Sequence, residues 1–134
     1  MAPSRAPEPP PHGPPPVVLV VEDEFLIAME LERVLGRDGW RVLGPAPTVG
    51  EALRLLDGGG ARPDVALLDA NLRGEMVTPV AARLRALGVP FVLASACDGV
   101  RLAALGLGGV PNLGKPTDAR RLLAALAEGL WCSS

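Results

Sequence analysis

Four places in the chain carry residues able to handle a charged group: the acidic run Glu22-Asp23-Glu24, Asp69, Ser95 and Lys115. Carboxylates brought together repel one another, and a divalent cation is the least costly remedy. Oxygen ligands that leave room for water and phosphate suit Mg2+. A carboxylate at the centre of such a set can act as a nucleophile toward phosphorus, giving an aspartyl phosphate. The transferred group spreads its charge over three oxygens, which a cation, an ammonium and a hydroxyl can share. Lys115 and Ser95 supply the last two, and no histidine base is required because a carboxylate is already ionised at neutral pH. Taken singly, each residue has an ordinary alternative: a solvated loop, favourable charge at a helix N-terminus, a strand-end cap or a turn. The set gains meaning only if the fold gathers it.

The pattern of elements predicts that it does. Val17–Val21 is a continuous β-branched run, suited to a strand buried on both faces. Residues 25–38 carry Ile27, Leu31, Val34 and Leu35 at helical spacing, and Gly39 offers a stop. Trp40–Leu43 reads as a short second strand, ending in Gly44-Pro45. Thr48 with Glu51 makes a capping box for a helix to about Leu56. Val65–Leu68 is a third strand. Thr78-Pro79 reads as an N-cap and first helical position, Phe91–Ala94 as a fourth strand, and residues 98–107 as a Gly-flanked helix. Val110–Leu113 completes the strands, and Thr117 is the expected cap of a last helix carrying Leu122, Leu123, Leu126 and Leu130. Five strands alternating with five helices imply an α/β fold, a doubly wound parallel sheet with helices on both faces. Ligands bind such sheets beyond the carboxyl ends of the strands. The acidic run, Asp69, Ser95 and Lys115 all stand just after strands. Asp23 to Asp69 and Asp69 to Lys115 are both 46 residues, about two strand–helix units.

Composition narrows the classes. The chain has 134 residues, enough for one domain, and eight prolines fall in its first sixteen. Residues 1–16 therefore read as a disordered Pro-rich tail and 17–134 as the folded domain. A formal net charge of −2 gives no electrostatic footprint for nucleic acid or an anionic membrane. Two Phe, two Trp and no Tyr argue against a base-stacking platform. No apolar stretch is long enough to span a bilayer or to act as a secretory signal, so a cytoplasmic protein is expected. Cys97 and Cys132 form no CxxC and read as reduced thiols, and His12 in the tail is the only histidine. Twelve Arg stand against a single Lys, Lys115. That imbalance reflects either a general bias toward Arg or a site that cannot take a guanidinium.

The stretches VVLVVEDEFLIAMELERVL, PDVALLDANLRGE, VPFVLAS and LGKP resemble the receiver domain of two-component response regulators, across about residues 17–130. The resemblance implies a CheY-like, flavodoxin-like (βα)5 sheet of five parallel strands in the order 2-1-3-4-5. It implies that Asp69 is the phosphoacceptor. Asp23 would hold Mg2+ directly, Glu22 through water, and Asn71 through its backbone carbonyl. Ser95 and Lys115 would hold the phosphoryl oxygens, and Pro116 is the candidate cis proline. The chain departs from the family at Asn112, which stands where a Tyr or Phe usually moves with the switch, and at Thr117, where Phe is common. Pro90–Ser95 also resembles a receiver subgroup with a PFxFATGY-like strand, with Leu93 for the second Phe and Ala96-Cys97 for Gly-Tyr. Cys97 stands where side chains in the family tune hydrolysis of the aspartyl phosphate.

The implied function is a bacterial single-domain response regulator, not an enzyme in the ordinary sense. Its expected partners are a sensor histidine kinase or histidine phosphotransfer protein, and a downstream target protein. Because Ser134 follows the last helix closely, the expected output is phosphorylation-dependent binding or phosphorelay. The alternative is a pseudo-receiver that is never phosphorylated and only docks to proteins. Gly109–Lys115 also fits GxxxxGK, but Pro116 removes the Ser or Thr and the N–H that a phosphate loop needs. A haloacid-dehalogenase-like phosphatase would want a second Asp where Asn71 stands.

Overall fold

The structure, a computed structural model, describes residues 14–60 and 62–132, apart from the side chains of Trp131 and Cys132. His12 and most of the expected tail lie outside the described residues. The β-branched run forms β1 (Val17–Val21), which pairs in parallel with β2 (Arg41–Ala46) on one side and β3 (Val65–Leu68) on the other. A two-residue-per-strand hairpin, β4 (Asn71–Leu72) and β5 (Glu75–Met76), follows β3. β6 (Phe91–Leu93) then adds to the far side of β3, so the sheet runs β2-β1-β3-β6. The parallel order expected from sequence is thus present through its first four strands.

Alternation along the strands divides the core into two layers. Leu19, Val21, Ala66, Leu68 and Leu93 pack with α2 (Val49–Asp57), α3 (Thr78–Leu87) and α4 (Gly99–Ala104). Val18, Val20, Val65, Leu67 and Val92 pack with α1 (Phe25–Arg37) and α5 (Ala119–Cys132), through Leu31, Leu35, Leu122 and Leu126. Each fully buried Leu or Val contributes about 1.5–3 kcal/mol, which holds β1 and β3 rigidly at the centre.

The fifth strand is the main correction. Val110–Leu113 contributes one parallel bridge, Leu93 to Asn112, with two ladder bonds: Leu93 N–H to Pro111 O and Leu113 N–H to Leu93 O, both 2.8 Å. Pro111 has no N–H to extend the ladder backwards. Gly114, at φ 77°, turns the chain away at the other end. The second strand starts at Arg41 rather than Trp40 and runs through Gly44-Pro45 to Ala46. Trp40 instead plugs the α1/α5 layer.

Two caps also differ. Val77, with no side-chain bond, precedes α3, so Thr78 and Pro79 both lie inside the helix. Thr117 bonds back to Gly114 O, while Asp118 Oδ1 accepts from Arg120 and Arg121 N–H and so caps α5. Thr48 caps α2 as expected, accepting from Glu51 N–H at 3.1 Å.

Candidate functional site

The carboxyl ends of the parallel strands bring the expected residues together. Glu22 and Asp23 leave β1, Asp69 leaves β3, Ser95 stands two residues beyond β6, and Lys115 follows the Asn112 bridge. Ladder bonds run right up to them: Glu22 N–H to Ala46 O, Asp69 N–H to Val21 O and Ala94 N–H to Leu68 O. The acids therefore sit on the stiffest part of the sheet. Glu22, Asp69 and Ser95 are the buried polar residues among those described.

Lys115 is the hub of the charge arrangement. Its Nζ lies 2.8 Å from Asp69 Oδ2 and 3.0 Å from Glu22 Oε1. Burial pushes the Glu22 carboxyl above its ordinary range, opposed by the Lys115 bond and the Glu24 amide and reinforced by the charge on Asp69. Burial works against the Lys115 ammonium too, but the bonds to Asp69 and Glu22 outweigh it and leave the lysine above its ordinary value. Asp69 Oδ1 accepts the Asn71 N–H at 3.1 Å. Ser95 Oγ accepts the Cys97 N–H at 3.1 Å. The Lys115–Pro116 peptide bond is cis, as is Gly44–Pro45.

Carboxylate oxygens of Glu22, Asp23 and Asp69 lie within 4.8 Å of one another. Three hard oxygen donors at that spacing fit a divalent cation of the Mg2+ class. Asp23, Asp69, Asn71, Ser95 and Lys115 line one open cleft of about 540 Å³, together with Cys97, Arg73 and Arg101. The cleft leaves room beside Asp69 for a small group, with Lys115, Arg73 and Arg101 among its cationic lining residues.

Arg73 is the residue that the sequence reading missed. It occupies the two-residue loop of the β4–β5 hairpin, with φ 54°, followed by Gly74 at φ 89°. Two consecutive positive φ values make a tight primed turn, held by Gly74 N–H bonding to Asn71 Oδ1 at 2.7 Å. The turn places Arg73 Nε 3.0 Å from Asp23 Oδ2. An Arg-Gly loop between strands of two residues gives little signal, because Arg is not a residue this turn favours. Asn112 was noted only as an absent aromatic, yet its amide bonds to Ser95, Cys97 and Gly114.

The model of the response regulator receiver domain matches residues 18–127. The chain is 39% identical over 115 residues to the positive alginate biosynthesis regulatory protein of Pseudomonas aeruginosa, covering 83% of this chain and 46% of that protein. The chain spans about half the length of the curated relatives it matches. A solved response regulator receiver protein from Sinorhizobium medicae WSM419 superposes with TM-score 0.79 over 90% of this chain and 98% of its own, at 22% identity. The signal receiver domain of a modulated diguanylate cyclase from Desulfovibrio desulfuricans G20 is 31% identical, with TM-score 0.74, covering 88% of this chain and 95% of its own. No helix among the described residues is long and apolar enough to cross a membrane. With the motif set gathered on one sheet edge and the family model spanning most of its length, the chain belongs to the receiver domains of two-component response regulators.

Proposed function

We propose that Asp69 accepts a phosphoryl group in a Mg2+-dependent reaction, from a histidine kinase or histidine phosphotransfer protein, and that the chain signals by phosphorylation-dependent protein binding or by relay. The observation that carries this reading is the Lys115 ammonium seated on Asp69 and Glu22, with Asp23 completing a cluster of three carboxylates. Glu22, Asp23 and Asp69 would hold Mg2+. The side chain of Asn71 is engaged with Gly74, which leaves its main-chain carbonyl for the same role. The cation would neutralise charge on the phosphoryl oxygens.

The protein's own groups do the rest. An Asp69 oxygen attacks phosphorus as the bond to the donor nitrogen breaks, and the departing imidazole keeps the electron pair. Lys115 then exchanges its bond to the Asp69 carboxylate for one to a phosphoryl oxygen, with no proton moved. Ser95 Oγ uses only a lone pair on the Cys97 N–H, so its hydroxyl hydrogen is free to be donated to a second phosphoryl oxygen.

The test is incubation with Mg2+ and acetyl phosphate, or with a cognate kinase. Wild type should gain one acid-stable, base-labile phosphate, seen as a shifted band on a phosphate-affinity gel, and Asp69→Asn should show no shift. A wild type that never shifts with any donor, and binds Mg2+ no better than Asp69→Asn, would leave docking alone as the function.

A further inference from the structure

The ladder between β3 and β6 ends at Ala94 N–H, one residue short of Ser95. From there a single side chain takes over. Asn112 Oδ1 accepts from Ser95 N–H at 3.0 Å and from Gly114 N–H at 3.1 Å. Its Nδ2 donates to Ser95 O at 3.2 Å and reaches Cys97 O at 3.5 Å. One carboxamide thus holds both main-chain groups of Ser95 and, at the same oxygen, the residue that precedes Lys115. The bridge at Asn112 is also the only backbone pairing among the described residues that joins this segment to the sheet.

We infer that Asn112 is a positioning residue that sets the separation between the Ser95 hydroxyl and the Lys115 ammonium, and thereby the affinity of the cleft for a tetrahedral phosphoryl group on Asp69. The inference rests on the reading that Ser95 and Lys115 hold phosphoryl oxygens. Glu22, Asp23 and Asp69 stand just past β1 and β3 and have no bond to Asn112. Lys115 links them to it only as a competitor of the cation, so freeing Lys115 would not weaken cation binding, and Mg2+ affinity serves as a one-sided control. An aromatic side chain could fill the same place but could not hold the main chain of two segments at once. The amide can, because it presents an acceptor and a donor in one plane.

The experiment compares wild type, Asn112→Ala and Asn112→Asp for Mg2+ affinity by calorimetry and for beryllofluoride affinity, in saturating Mg2+, by fluorine NMR. Asn112→Ala should weaken beryllofluoride roughly five- to thirty-fold, the size of one or two neutral hydrogen bonds, while its Mg2+ affinity does not fall. Asn112→Asp keeps the acceptor for both N–H groups and should recover part of the loss. Equal beryllofluoride affinity in wild type and Asn112→Ala overturns the inference, as does a parallel loss of Mg2+ and beryllofluoride affinity. Should Asn112→Ala fail to fold, amide exchange on wild type decides. Ser95 and Gly114 N–H should be protected and slow further with beryllofluoride, and unprotected amides there overturn the inference. A wild type that binds Mg2+ but no beryllofluoride instead removes the reading of Ser95 and Lys115 on which the inference stands.

Discussion

Replacing Lys115 by Ala should destabilise the protein far more than replacing its partner Asp69 by Asn, although both changes break the same contact. Charges about 3 Å apart interact by about 5 kcal/mol at an effective dielectric of about 20. Lys115 makes two such contacts, at 2.8 and 3.0 Å. Most of that attraction is offset by the water that all three groups give up on burial. What decides the outcome is what each substitution leaves behind. Lys115→Ala leaves two nearly buried carboxylates facing each other without a counter-charge. Removing one partner of a buried pair costs about 3–5 kcal/mol, reduced here because the lysine side chain keeps 17% of its exposure. A loss of about 2–4 kcal/mol follows. Asp69→Asn leaves Lys115 on Glu22 and removes a carboxylate–carboxylate repulsion, so its cost should stay below about 1 kcal/mol. The assay is urea unfolding followed by tryptophan fluorescence, with and without saturating Mg2+. A divalent cation replaces the missing charge, so Mg2+ should stabilise Lys115→Ala more than wild type. A loss under about 0.5 kcal/mol for Lys115→Ala, or an equal loss for Asp69→Asn, would refute the charge accounting of the site.

Arg73→Gln should tighten Mg2+ binding about two- to five-fold, because the guanidinium on Asp23 competes with the cation and an exposed pair of this kind is worth about 0.2–1 kcal/mol; calorimetry showing equal or weaker binding contradicts this. Lys115 is held above the ordinary lysine value of 10.5, so its stabilising effect is complete below that pH and is lost as pH rises through the raised value. Unfolding midpoints should therefore fall on the alkaline side in wild type, and fall less in Lys115→Met. Gly44→Ala should cost roughly 2 kcal/mol or more, since φ is 97° and the added Cβ would meet Ala46 N at 2.7 Å and Val20 O at 3.0 Å. A thermal melt unchanged from wild type would count against it.

The sequence displayed the site better than the edges of its elements. Val17–Val21 and Val65–Leu68 are so uniformly apolar that only a central strand satisfies them, and they fix where Glu22, Asp23 and Asp69 emerge. Lys115 was legible because it is the one lysine in an arginine-rich chain and stands directly before a proline. The fifth strand was overestimated because apolar content around Val110 does not reveal that Pro111 removes the donor a ladder needs. Thr78 and Thr117 looked like caps because hydroxyls often are. Val77 N–H bonds instead to Ala70 O, and Asp118 offers its helix a stronger acceptor than Thr117. The β4–β5 hairpin escaped because its strands are too short to show alternation. With it went Arg73, whose contact with Asp23 exists only once that turn is made.

The rigidity of the cleft is graded from one wall to the other. Its acids grow from strands clamped by neighbours on both flanks, whereas its ammonium hangs from a border strip tied on by two main-chain bonds and one carboxamide. A guest that pulls on both walls must draw the loose one inward. Under the proposed phosphotransfer, a pull at Asp69 would be felt first at the outer margin of the sheet, beyond β6, rather than in its interior.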